Sequence, residues 1–111
     1  VLESRAVLIA SPDALAAKGS EIRELVSAVE SVVEAKARRY LMANVPTSRL
    51  EEVRAFLPGI SGPTVMNLIG RDDMVAMHVV VREDAVNGII SLLKEAGATG
   101  ILVMPIERMV V

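Results

Sequence analysis

The chain has 111 residues, of which 52% are hydrophobic, a mean hydropathy of +0.48 and a formal net charge of −2. That is the length of one domain, and Phe56 and Tyr40 are its only aromatic residues, so its core is built of aliphatic side chains. The charge balance excludes nucleic-acid binding by bulk electrostatics, and the lack of cysteine excludes disulfides, thiolate catalysis and Cys-ligated zinc.

Taken in order, Ala6-Val-Leu-Ile-Ala10 is an unbroken apolar run, which predicts a strand buried on both faces and ended by Ser11-Pro12-Asp13. No neighbour for it is evident before residue 37, so its sheet is expected to belong to another domain. Val1 to Ala10 lacks the basic start and cleavage pattern of a leader, and no apolar run reaches the ~18 residues of a membrane helix. The chain opens on Val rather than Met and is read as a piece of a longer protein. Residues 1–36 are then the tail of an upstream region with a linker helix, and residues 37–111 a separate domain. Ile22, Leu25, Val26, Val29, Val32 and Val33 recur at helical spacing, with Ser20 as the expected N-cap.

From Ala37 the period changes to two. Arg39, Leu41, Ala43 and Val45 alternate with Arg38, Tyr40, Met42 and Asn44 until Pro46, which predicts a strand. Ser48-Arg-Leu-Glu51 has the form of a capping box, and Leu50, Val53 and Leu57 continue as a helix to Pro58-Gly59. Thr64 to Leu68 is a strand, Gly70 to Asp73 a turn, and Met74 to Val81 the longest strand. A helix from Asp84 to Ala96 stops at Gly97, a residue that takes the left-handed cap conformation freely. Ile101 to Met104 is the last strand, with Gly100 leaving bare backbone at its mouth.

This order, βαββαβ, contains a repeat. Leu50, Val53 and Leu57 recur 36 positions later as Val86, Ile89 and Leu93, and the same offset pairs Val45 with Val81 and Val65 with Ile101. Two βαβ halves related in this way predict an α+β, ferredoxin-like fold: a four-stranded antiparallel sheet with both helices on one face. Along Met74 to Val81 both alternating sets are apolar apart from His78, so the helix-free face is expected to be covered by another subunit or domain.

Catalytic chemistry finds little support. His78 lies in an apolar strand without a serine or carboxylate pattern and reads as a structural residue; Asp72-Asp73 reads as a solvated turn, and the six methionines as core filler. A binding site fits better. The 36-residue offset pairs Asn44 with Val80 and Thr64 with Gly100, positions expected to gather near strand ends around one small pocket, although Asn44 and Thr64 could equally satisfy local turns.

Four segments, ESRAVLIA, LMANVP, LPGISGPTV and KEAGATGILVMPIERM, cover the chain in order. Together they resemble the C-terminal region of the long-form ATP phosphoribosyltransferases, the enzymes that open histidine biosynthesis. The resemblance implies a feedback domain related to nitrogen-signalling trimers, which binds L-histidine between subunits and favours a closed, inactive hexamer. Its histidine contacts would fall on Asn44, Ile60, Gly62, Thr64, Val80 and Gly100. It implies a cytoplasmic homo-oligomer, trimer or hexamer, joined to parent catalytic domains, with no membrane or nucleic-acid partner. The parent would be a Mg²⁺-dependent glycosyltransferase joining ATP to phosphoribosyl diphosphate. The family's acidic pair and Thr-Gly-x-Thr turn have no match here, so this stretch is expected to hold no cofactor and to be inactive alone. Asn44 stands where some members carry Asp, and Gly62 where some carry a hydroxyl. The other readings are an assembly-only module and a related trimeric sensor of small molecules.

Overall fold

The computed structural model describes residues 6–57 and 62–111. In chain order they form α1 (Pro12–Lys36), β1 (Arg38–Pro46), a 3-10 turn (Thr47–Arg49), α2 (Leu50–Phe56), β2 (Thr64–Leu68), β3 (Arg71–Arg82), a second 3-10 turn (Glu83–Ala85), α3 (Val86–Glu95) and β4 (Thr99–Pro105). The four strands make one antiparallel sheet in the order β2-β3-β1-β4. That is the ferredoxin-like, α+β plan expected from the repeat. Even the 3-10 turns obey the 36-residue offset, because each opens the crossover at the same point of its half.

Period-two patterning decides which side of the sheet the helices cover. Leu41, Ala43 and Val45 of β1 and Val75, Met77, Val79 and Val81 of β3 are buried, and they meet Val53 and Leu57 from the α2 side and Ile89 and Leu93 from α3. Positions related by the repeat therefore fill one aliphatic core. α3 ends in a Schellman motif: the Ala98 N–H donates to Leu93 O at 2.9 Å and the Gly97 N–H to Lys94 O at 3.0 Å, with Gly97 at φ +83°.

Several local expectations are corrected. Ala6 to Ala10, read as a strand whose sheet belongs to another domain, is irregular and exposed, and among the described residues it pairs with no strand; Val1 to Arg5 lie outside them. An apolar run becomes a strand only where a sheet edge accepts its backbone bonds. The helix does not start at Ser20. It starts nine residues earlier, where Ser11 accepts the Ala14 N–H at 3.1 Å and Pro12 presets the first turn. Ser20 sits inside α1, just past a kink at Lys18 (φ −129°, ψ 30°). The capping box also fails to form: the chain enters α2 through the 3-10 turn, and Glu51 accepts instead from Arg54 at 2.9 Å. The turn after β2 is only Ile69-Gly70, because β3 begins at Arg71, and Asp73 pairs with Arg71 at 2.7 Å.

α1 is held to the sheet domain lightly. Ser31 and Ala35 are its buried residues, and the Met109 N–H reaches across to Ser31 O at 2.9 Å. Leu25, Val29 and Val33 on its other side are exposed. No helix among the described residues is long and apolar enough to cross a membrane.

Candidate functional site

The face of the sheet turned away from α2 and α3 carries the even-numbered side chains of β1 and β3. Directly opposed residues of an antiparallel pair share a face, so the register extends this set to Thr64 and Met66 on β2 and to Leu102 and Met104 on β4. Met66, Leu102 and Met104 are exposed. Met42, Met66, Met74 and Met104 all lie on this face, whereas Met77 is buried in the core. The methionines are thus mostly a surface feature, and the expectation of core filler holds for Met77.

The predicted site residues fall on this face in two separate groups. Asn44, near the end of β1, meets β4 where the register shifts between Met42 and Asn44. Gly100 lies beside it at φ +59°, and a Cβ built on Gly100 would stand 3.2 Å from the Asn44 Nδ2. A side chain there would crowd the amide by a few tenths of an ångström, and the positive φ itself favours glycine. The second group is Thr64, which faces His78 across β2 and β3, with Gly62 two residues before it and Val80 two residues past His78. Gly62 has φ +82° and is exposed. Ile60 lies outside the described residues.

From strand spacing and rise, the two groups stand about 12 to 15 Å apart across the sheet, farther than an amino acid spans. One chain therefore does not gather them into the single pocket expected from the sequence. It presents two candidate half-sites, one toward each end of the face. The repeat explains the arrangement: a shift of 36 positions carries Asn44 to Val80 and Thr64 to Gly100, so each half-site is the internal counterpart of the other. Each has one polar side chain, Asn44 or Thr64. Among the described residues neither makes a side-chain hydrogen bond, so both remain able to bond a ligand.

The surrounding charges are mostly paired. Arg38 and Arg82 oppose each other beyond Tyr40 and Val80, with Arg82 bound to Asp84 at 2.6 Å and Arg38 4.0 Å from Glu34. Away from the face, the hydrogen bond from Arg49 holds the Glu52 carboxyl below its usual range, and that from Arg71 does the same to Asp73. Among the described residues no group of three or more His, Cys, Asp or Glu is placed to hold a metal ion.

Tyr40 and His78 are further polar groups on this face. They adjoin the Thr64 half-site and are far apart in the chain; only the strand register brings them together. The alternation in β1 and β3 places each on the helix-free face, but it carries no signal that they meet.

Comparison with known proteins adds the family. Residues 35–108 match the family described as HisG, C-terminal domain. Over 110 residues, 99% of this chain, it is 47% identical to an ATP phosphoribosyltransferase of Methanocella arvoryzae, of which it covers 39%. The corresponding protein of Methanopyrus kandleri is 44% identical over 99% of this chain and 38% of its own length. That of Natronomonas pharaonis is 48% identical over the same shares. The chain thus spans less than two-fifths of the length of the curated relatives it matches.

Proposed function

Because the chain belongs to the HisG C-terminal domain family, we propose that it is the feedback domain of a longer ATP phosphoribosyltransferase and binds L-histidine between copies of itself. The observation that carries this reading is the pair of unlike half-sites at opposite ends of one uncovered, apolar sheet face. A ligand that needs both is served when the Asn44–Gly100 end of one copy meets the Thr64–Val80 end of the next. Such a contact joins two different surfaces, and repeating it closes a ring wherever its rotation returns to the start, as in a trimer or in two stacked rings of a hexamer.

The chemistry suits a zwitterion. The Asn44 carbonyl can accept from the ammonium group, and the Thr64 hydroxyl and the backbone N–H groups of Gly62 and Gly100 can donate to the carboxylate. Feedback follows if histidine binds the inactive arrangement more tightly than the active one, because only differential affinity shifts the equilibrium. In this reading the catalytic step, with its Mg²⁺, ATP and phosphoribosyl diphosphate, belongs to the part of the enzyme that precedes this domain. The exposed side of α1 would then face that part.

Calorimetric titration with L-histidine, coupled to light scattering, tests the proposal. Saturable binding by an oligomer is the expected result; an oligomer that ignores histidine overturns it in favour of an assembly-only module. Mixing chains tests the shared site itself. Asn44→Ala and Thr64→Ala each cripple every site in their own oligomers. In a re-assembled equal mixture, about a quarter of the boundaries regain an intact pair if the site is made head to tail. No recovery on mixing removes the shared site.

A further inference from the structure

We propose that His78 is a specificity-determining residue of this ligand site, reading the imidazole ring of the ligand from beside Thr64, and that Tyr40 positions it. The inference rests on the histidine-binding reading and names a group that reading did not contain.

His78 lies on β3 between two strands, opposite Met42 of β1 and opposite Thr64 of β2. Side chains so opposed have Cβ atoms about 4.5–5.5 Å apart on the same face, so a ligand that touches the Thr64 hydroxyl lies within reach of the His78 ring. The ring does not stand alone. Its centroid is 5.4 Å from that of Tyr40, with the planes inclined by 35°, a tilted aromatic contact that restricts how the imidazole turns. Tyr40 in turn opposes Val80. Thr64, His78, Tyr40 and Val80 thus form one continuous strip, and the polar half-site at that end is larger than its two predicted members.

The chemistry of the strip is selective. A neutral imidazole offers one donor and one acceptor, and a second imidazole offers the complementary pair. The His78 ring is partly buried, and no described residue hydrogen-bonds to it. When a second copy covers the face, that ring loses water and needs a partner. An imidazole side chain supplies one, and an apolar ring of the same shape leaves the nitrogen unbonded. Discrimination by a polar group left unpaired exceeds what shape alone achieves. The charged ends of the zwitterion are met by Asn44, Thr64 and the glycine backbones, so the side chain is what remains for His78 to read. No other titratable or charged group faces it from β1, β2 or β4 among the described residues, apart from Tyr40; Arg38 and Arg82 stand beyond the Tyr40–Val80 row.

The experiment titrates the 111-residue protein with L-histidine and with its two ring-N-methyl derivatives, for the wild type, His78→Ala and His78→Gln. Light scattering and thermal melting accompany each variant. In the wild type, methylating the nitrogen that faces His78 is expected to weaken binding about tenfold, and methylating the other nitrogen much less. In His78→Ala that difference shrinks to about twofold or below, because the two changes are coupled. His78→Gln, which keeps a donor and an acceptor, retains part of the discrimination and covers the case in which the alanine variant fails to assemble. Equal methylation effects with and without His78 overturn the inference and leave histidine binding intact. A loss common to all three ligands also overturns it, since it marks a structural role. A wild-type oligomer that binds no L-histidine overturns both.

Discussion

The two halves of the domain, β1 to β2 and β3 to β4, share a plan and differ where it matters. Their 3-10 turns, helices and core positions coincide under the 36-residue offset, and Val45, Val53 and Leu57 are as buried as Val81, Ile89 and Leu93. Their outer faces have diverged. Asn44 corresponds to Val80 and Thr64 to Gly100; on the helix side, Arg49, which bonds Glu52 and the Glu95 carbonyl, corresponds to Ala85. Beside Ala85 a cavity of about 220 Å³ remains, lined by Phe56, Val81, Arg82 and Ile89. The lesson is that the core positions buried in both halves stay apolar, because both halves fill one core. The uncovered face is free to become asymmetric, and two unlike ends are what a head-to-tail contact requires.

The equivalence of the interiors can be broken most forcefully at the core. Leu57→Ala and Leu93→Ala should each destabilise the domain by about 2–5 kcal/mol, and by similar amounts, because both side chains are almost completely buried. Thermal or urea unfolding measures this, and a much smaller cost for one leucine would show that the halves do not share the core equally. Next in size is Gly97→Ala. It places a Cβ at φ +83° and 3.3 Å from the Pro46 Cγ, so a loss of about 1–2 kcal/mol is expected in the same assay.

The asymmetry of the faces is sharpened by ligand binding. Asn44→Asp gives the ammonium a charged partner and should tighten histidine binding about tenfold, while Val80→Asn, its internal counterpart, should not. Gly100→Ala should weaken binding with little effect on folding beyond its backbone strain, because the new Cβ would press on the Asn44 amide. Calorimetry decides both.

The smallest effect concerns pH. Glu52 and Asp73 have folded-state carboxyls held below their usual range by Arg49 and Arg71, so their contribution to stability is present above the usual carboxylate range and is lost as pH falls through the lowered values. Both pairs are solvent-exposed, so the loss should be slight and weaker still in high salt. Melting curves of the wild type and Glu52→Gln across that acid range should converge at the low end.

Much of the fold was legible. Period-two alternation marked the faces of β1 and β3, helical spacing marked α2 and α3, and Gly97 marked the end of α3. These signals are local and recur in both halves. The failures were also local in form but had distant causes. Ala6 to Ala10 has the composition of a strand and is irregular here, its expected sheet belonging to another domain. Ser48 and Glu51 have the spacing of a capping box, but the 3-10 entry and Arg54 draw Glu51 elsewhere. Of the site, the sequence identified Asn44, Thr64, Val80 and Gly100 as related positions. That they fall into two separate groups followed only from the strand order.

The sequence by itself determined the repeat, the aliphatic core and the ferredoxin-like order, because periodicity and chain direction are properties of neighbouring residues. Tertiary structure alone decided that Asn44 meets Gly100, that Thr64 meets His78, and that His78 rests on Tyr40. Those pairings depend on register across strands distant in the chain. A shift of one residue in that register would turn each of these side chains to the opposite face.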